Sequence, residues 1–280
     1  MNRLGAALML VVVASAVASS QPQAPDQQVY EQFREWAGRR PAGATQQAGP
    51  NAGAPDILTL YRDELRSRGL ADVEIDRQIR VIQEEGQRLE VERWNRILTN
   101  PKPTFNTQPN AFLVQIAKSR TPGFALDVGM GQGRNAIYLA QQGWTVTGFD
   151  PAERAVELAR EQAQRLGVKL TAQVTDDEHF DWGRDRWDLV VLSYVGAREM
   201  VSQVFDSLRP AGVVIVEAFH RDATKTASIG SGVVFDSNEL LRLFGKLRVI
   251  HYEDVTGVAD FGSGNTRVVR LAAEKPLIRD

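Results

Sequence analysis

From residue 124 onward the chain switches repeatedly between two hydrophobic periods. Five short, nearly continuous apolar runs have the length of strands buried on both faces: Phe124–Val128, Thr145–Phe149, Leu170–Thr175, Leu189–Ser193 and Val213–Phe219. Between and after them, apolar residues at three- and four-residue spacing predict helices at Arg134–Gln142, Ala152–Leu166, Arg198–Leu208 and Ser237–Phe244. Two more apolar runs, Leu247–Tyr252 and Thr266–Ala273, follow one another with no helix between them, which predicts an antiparallel pair. The pattern therefore predicts an α/β fold. It is a doubly wound, mostly parallel seven-stranded sheet with helices on both faces and its last strand antiparallel. Pro109–Arg120 reads as one more helix ahead of the first strand.

The N-terminal part is patterned differently. Asp56–Arg68 predicts a helix that Gly69 ends. A longer amphipathic run carries Ile75, Ile79, Ile82, Leu89, Trp94, Ile97 and Leu98 at helical spacing. Gly86 is a loose point at its centre, and Pro101 and Pro103 stop it. These two helices are expected to pack on the main domain. Gln21–Pro55 is rich in Gln, Pro, Ala and Gly apart from a helical stretch at Val29–Trp36, and reads as a tether. Arg3, the apolar run Leu4–Val17 and the small residues Ala16 and Ala18 fit a cleaved export signal. The run is shorter than the ~20 residues of a membrane span. The organisation expected is a signal peptide or short anchor over 1–18, a flexible linker over 19–55, a helical extension over 56–108 and the main domain over 109–280. Export to a periplasmic or external location follows from the signal, with a cytoplasmic or membrane-tethered protein as the alternative. No stable membrane span is expected if the signal is cleaved.

Composition narrows the chemistry. The chain has 280 residues, a formal net charge of -2 and no cysteine. Disulfides, thiolate metal sites and cysteine nucleophiles are excluded. The three histidines, His179, His220 and His251, are too scattered for a metal motif, so no metal is expected. The charge balance and the absence of a basic, aromatic-interleaved patch argue against nucleic acid.

The first apolar strand runs into "LDVGMGQGRN". Glycines at alternate positions after a strand and before a helix let a backbone turn tightly against a ligand. The dinucleotide fingerprint G-x-G-x-x-G is not met, because Arg134 stands where its third glycine belongs, and the P-loop pattern is absent. Those departures disfavour an NAD or nucleotide-sugar enzyme. What remains, D-x-G-x-G-x-G, resembles the first motif of the class I S-adenosylmethionine-dependent methyltransferases. The resemblance extends from about Pro109 to the C-terminus, and "GRN" with "YLA" is most similar to the small-molecule, tellurite- and thiol-methylating branch.

That resemblance implies S-adenosylmethionine as cofactor and assigns residues to it. Asp127 would stand near the amino-acid ammonium. Gly129, Met130, Gly131, Gly133 and Asn135 would form the turn and helix start, whose amides can receive the carboxylate. Asp150, at the end of "VTGFD" with Pro151 after it, would accept the ribose hydroxyls; capping the next helix is the alternative role. In "VTDDEHFDW", Asp176 would accept the adenine amino group and the Asp177 amide would meet a ring nitrogen, with Glu178, His179 and Phe180 near the base; a solvated acidic turn is the alternative. Ser193 and Tyr194 end the fourth strand at the ligand edge, and Asp188 reads as structural there. "LRPAGVVIVEAFH" resembles the motif around the fifth strand.

Methyl transfer from a sulfonium is an in-line displacement that needs alignment and exclusion of water. A base is required only for a nucleophile that arrives protonated. His220 and Tyr194 are the candidate catalytic residues, and Arg134 is a candidate for attracting an anionic substrate. The loop between His220 and Ser237 could close over substrate or serve as a plain connector. The function expected is methyl transfer to a small-molecule acceptor. The alternative is an exported, non-catalytic ligand-binding or accessory protein that retains the fold.

Overall fold

The computed structural model describes residues 25–40, 56–226, 229–262 and 264–277. The expected export signal and most of the expected linker lie outside them. Among the described residues, no helix is long and apolar enough to cross a membrane.

The described residues fall into two compact units, one holding 25–40 and 57–83, the other holding Asp56 and the residues from Glu84 onward. The division lies inside a helix, upstream of residue 108 where the sequence pattern placed the end of the extension. The first unit contains α1 (Asp26–Gly38), α2 (Ile57–Ser67) and the first part of α3 (Asp72–Leu98). Val29, Trp36, Tyr61, Leu65, Ile75, Ile79 and Ile82 form its core. The Trp36 and Tyr61 rings lie 4.7 Å apart, and Arg77 joins α3 to α1 through Asp26 at 2.6 Å. Gly69, at φ 81°, turns the chain after α2. Helix α3 continues through Gly86 and ends ahead of Pro101.

The second unit is built on the sheet. Its elements after α3 are α4 (Ala111–Ala117), β1 (Phe124–Val128), α5 (Arg134–Gln141), β2 (Thr145–Asp150), α6 (Glu153–Arg165), β3 (Leu170–Val174), β4 (Trp187–Ser193), α7 (Val201–Ser207), β5 (Leu208–His220), β6 (Val234–Phe235), α8 (Glu239–Leu243), β7 (Arg248–Val258) and β8 (Asn265–Glu274). The strand order is β3-β2-β1-β4-β5-β8-β7, with β6 beside β5. Pairing is parallel from β3 through β5 and antiparallel for β5–β8 and β8–β7.

All seven expected strands are present. The addition is β6, two residues long and too short to leave a periodic trace. Strand β7 also runs past its expected end at Tyr252. Its polar second half is held to β8 by cross-strand ion pairs, Asp254 to Arg267 at 2.6 Å and Glu253 to Arg270 at 2.9 Å.

The two sheet faces are lined by alternate residues, as strand geometry requires. Leu126, Val128, Val190, Leu192, Val214 and Val216 face one cluster with Phe149, Phe180 and residues of α7 and α8. Ala125, Val146, Leu189, Val191, Val213 and Ile215 face the other, with residues of α4, α5 and α6. Each such fully buried Val, Leu or Ile side chain contributes roughly 1.5–3 kcal/mol against the entropy of ordering it.

Strand order reverses at β1, which has β2 on one side and β4 on the other. Crossovers on opposite faces leave a crevice at the carboxyl ends of β1 and β4, where α/β sheets bind ligands.

Candidate functional site

The turn after β1 takes left-handed backbone at three glycines: Gly129 at φ 62°, Gly131 at 54° and Gly133 at 76°. A side chain in that region costs about 1–2 kcal/mol. At Gly129 space also forbids one, and at Gly131 it is tight. A Cβ at Gly129 would lie 2.5 Å from Val195 Cγ1, and one at Gly131 would lie 3.2 Å from Leu98 Cδ2. The Met130 N–H donates to the Phe149 carbonyl at 3.0 Å, tying the turn to β2. The Met130 side chain is buried against Gly148, so this residue meets a ligand only through its backbone. Gly133 caps the start of α5.

Two buried carboxylates bracket this turn. Asp127, 1 % exposed, lies in β1, one residue before its end, and its Oδ2 accepts the Ala136 N–H at 3.0 Å. Burial pushes its carboxyl up to about 7, against the pull of the Arg134 cation and the Ala136 amide. Asp150 ends β2. Its Oδ2 accepts the Gly131 N–H at 2.9 Å, and its Oδ1 accepts the Ala152 N–H at 2.8 Å. Burial raises this carboxyl too, and the two amides oppose the rise. Each Asp150 oxygen retains a lone pair for a further donor. The expected capping role and the expected ligand role are therefore compatible. Pro151 is half-buried beside it.

At the end of β3, Asp176 accepts from the His179 backbone N–H at 2.9 Å, and the His179 ring lies 2.6 Å from the same oxygen. Its other oxygen accepts the Gln87 amide from α3 at 3.3 Å. Partial burial raises the Asp176 carboxyl, but the His179 contacts outweigh it and hold it below the usual range. The Asp177 carbonyl accepts the Trp182 indole N–H at 3.0 Å. Phe180 belongs to the core rather than to a ligand wall: its ring stacks on Phe149 at 4.3 Å.

The second part of α3 lies along the same edge. Leu98 clusters with Ala152 and Ala155, with Trp94 and Phe105 packed against them. Asn95 Oδ1 accepts the Arg154 N–H at 3.0 Å. Phe261, in the connection between β7 and β8, meets Trp94 at 5.9 Å, Phe105 at 5.5 Å and Tyr194 at 5.3 Å between ring centroids.

Three expected site residues are engaged by the protein itself. Arg134 forms an ion pair with Asp260 at 2.6 Å, with side chains 13 % and 7 % exposed. It also donates to the Gln108 carbonyl at 2.9 Å and lies 3.5 Å from Ser193 Oγ. Its charge is balanced internally, so it is not a free attractor for an anion. The Asn135 side chain accepts the Asn110 N–H at 2.9 Å, and Asn110 Oδ1 accepts the Leu113 N–H of α4 at 2.9 Å. That side chain therefore fixes α4 against α5. Tyr194 sits at φ 59°, a backbone state uncommon outside glycine and concentrated at functional sites. Its hydroxyl donates to Glu217 at 2.7 Å and accepts the Asp260 N–H at 3.1 Å. Burial, then the Glu217 charge, raises its pKa further.

His220 is likewise committed. Its Nδ1 accepts the Asp222 N–H at 3.0 Å, which places the ring proton on Nε2, 3.1 Å from Ser237 Oγ. Ser237 donates onward to Asp254 at 2.7 Å. Neither Tyr194 nor His220 presents a free acceptor for a substrate proton in this arrangement.

Sequence reasoning missed Asp260, Glu217 and Gln87. Asp260 is a buried hub that also receives Asn106 at 2.9 Å and Asn110 at 2.7 Å. Nothing in its local sequence marks it. Glu217 does leave a signal: it is the lone charge inside the apolar run Val213–Phe219, and Arg270 neutralises it at 2.7 Å.

A family described as "Methyltransferase domain" matches residues 125–212, from β1 to the turn within β5. The chain is 22% identical over 171 residues to Hemagglutinin 1 of Eikenella corrodens, covering 59% of this chain and 57% of that protein. It is 23% identical over 152 residues to the probable S-adenosyl-L-methionine-dependent methyltransferase TehB of Haemophilus influenzae, covering 52% and 53%. The chain thus spans little more than half the length of these two relatives. The crystal structure of the N-methyltransferase NodS from Bradyrhizobium japonicum, in complex with S-adenosyl-l-homocysteine, shares the fold. Its TM-score is 0.52 at 19% identity, over 66% of this chain and 98% of that one.

Proposed function

We propose that this chain, which belongs to the class I S-adenosylmethionine-dependent methyltransferases, transfers the donor's methyl group to a small-molecule acceptor by in-line displacement. The observation that carries the reading is one constellation: three left-handed glycines bracketed by the buried carboxylates Asp127 and Asp150.

The residues present fit the cofactor. Asp127 Oδ1 has no hydrogen-bond partner among the described residues, and a carboxylate there suits an ammonium. The Arg134 and Asn135 amides open α5 and have no intrahelical acceptor, so they suit a carboxylate. Asp150 retains the lone pairs a ribose diol needs. Glycine at 129, 131 and 133 lets the turn hold the left-handed backbone that a tight approach to the cofactor requires. When bound, S-adenosylmethionine supplies an electrophilic methyl group on a sulfonium.

The protein's own contribution is placement and exclusion of water. The aromatic rings of Trp94, Phe105, Tyr194 and Phe261 form an apolar wall near the ends of β1 and β4. With Tyr194 and His220 engaged, the acceptor gives its proton to solvent before attack, as a thiol of pKa about 8.5 does in part at neutral pH, and the thiolate then displaces S-adenosylhomocysteine. With Arg134 neutralised by Asp260, shape and apolar contact rather than a free cation select the acceptor.

Incubating the full chain with methyl-labelled S-adenosylmethionine and a panel of thiols, phenols and amines tests this. S-adenosylhomocysteine should accumulate with label in a thiol at neutral pH. Label confined to the amines or phenols would overturn the acceptor class, and no S-adenosylhomocysteine with any acceptor would overturn the activity.

A further inference from the structure

Gln87, Val91, Trp94 and Leu98 recur at four- and three-residue intervals, so they share one face of α3. Two ends of that face touch the turns assigned to opposite ends of the donor. Gln87 Nε2 donates to Asp176 Oδ2 at 3.3 Å, at the turn after β3. Leu98 Cδ2 lies 3.2 Å from the position a Gly131 Cβ would take, at the turn after β1. The helix rises about 16 Å between these two residues. Between them, Asn95 is pinned by the Arg154 N–H at 3.0 Å, at the start of α6. All of these contacts lie within the second compact unit.

We propose that this face of α3 is the roof of the donor site, in which Gln87 reads the adenine 6-amino group beside Asp176 and Leu98 closes the glycine turn. The inference rests on the donor reading above, with Asp176 at the adenine.

The chemistry at Gln87 is specific. Its amide nitrogen is committed to Asp176, which leaves Oε1 as an acceptor next to an ionised carboxylate. An adenine 6-amino group has two N–H donors, one for each of these oxygens. A 6-oxo purine has none and would place its oxygen against two acceptors. Two acceptors facing a 6-oxo group disfavour it, by an amount limited by the exposure of Gln87 to water. Leu98 contributes in another way: it offers no hydrogen bond and reads no base. It covers the turn where the amino-acid end would lie, so it governs release of either analogue alike.

The test compares S-adenosylhomocysteine with its 6-oxo counterpart, S-inosylhomocysteine, by calorimetry and by stopped-flow release. The full chain is used as wild type, Gln87→Leu and Leu98→Ala. Wild type should prefer the adenosyl compound by at least 10-fold. Gln87→Leu should narrow that preference several-fold, and Leu98→Ala should speed release of both compounds several-fold without changing it. A Gln87→Leu protein with an unchanged preference overturns the adenine assignment, whether or not its affinity falls for both compounds together. Unchanged release from Leu98→Ala overturns the roof. Failure of wild type to bind either compound removes the donor reading itself, an outcome distinct from the other two. Thermal unfolding of the unliganded variants checks that each is folded.

Discussion

Replacing Asp127 by Asn separates the cost of a buried charge from its use. The carboxyl is 1 % exposed and its pKa rises from 3.8 to about 7, chiefly through burial. That change amounts to about 4 kcal/mol of preference for the protonated form. The folded protein binds the proton more tightly than the unfolded chain, so wild type loses stability as pH rises from about 4 to about 7. Above that window the full cost of about 4 kcal/mol stands. The substituted amide has no proton to lose. Its oxygen can still accept the Ala136 N–H, but its new NH2 group lacks an acceptor, at a cost of roughly 1–3 kcal/mol. The variant should therefore be less stable by up to about 2 kcal/mol at pH 4.5, where wild type has already lost about 1 kcal/mol, and more stable by roughly 1–3 kcal/mol at pH 8. Urea unfolding of both proteins at pH 4.5, 6 and 8 measures the difference directly. The same substitution should weaken donor binding at least 10-fold at pH 8, because the ammonium loses its charge partner. Wild-type donor affinity should fall about tenfold per pH unit below 7, as Asp127 protonates. A stability difference that stays flat across the three pH values would show that Asp127 is not a strained buried carboxylate, and the argument would fail.

Gly131→Ala combines about 1–2 kcal/mol of left-handed strain with crowding of Leu98; calorimetry should show weaker donor binding while circular dichroism shows the sheet intact. Asp260→Ala strands the Arg134 cation and unties Asn106 and Asn110, so thermal unfolding should show a loss of roughly 3–5 kcal/mol. Gly86→Ala sits in open space within a continuous helix and should gain roughly 0.5–1 kcal/mol in chemical denaturation.

The sheet was legible because its strands are buried on both faces. Runs such as Leu189–Ser193 have no other stable placement, and the helices between them repeat at a clear period. The glycine turn was legible because its backbone angles exclude other residues. The side chains that finish the site were less so. Asp260 lies in the β7–β8 connection, and its partners Asn106, Asn110 and Arg134 are brought to it only by the folded sheet. Gln87 looked like any exposed polar residue on an amphipathic helix, and its contact with Asp176 spans 89 positions of sequence. The apolar run before His220 marks where that residue leaves its strand. What its ring nitrogens bind depends on Asp222 and Ser237, which no spacing rule specifies. The short β6 and the polar half of β7 were missed for a related reason: cross-strand ion pairs, not apolar periodicity, hold that half of β7 in place.

The Asp127–Gly131–Asp150 constellation is expected to bind S-adenosylmethionine. Calorimetric titration of S-adenosylhomocysteine into the full chain at pH 8 tests it most directly, with Asp150→Asn measured alongside. Wild type should show a single site, and affinity should be at least 10-fold weaker in the variant, whose one amide oxygen cannot hold both the Gly131 and Ala152 N–H groups and whose NH2 cannot accept from the ribose. No heat of binding in wild type, or equal affinity in both proteins, would contradict it.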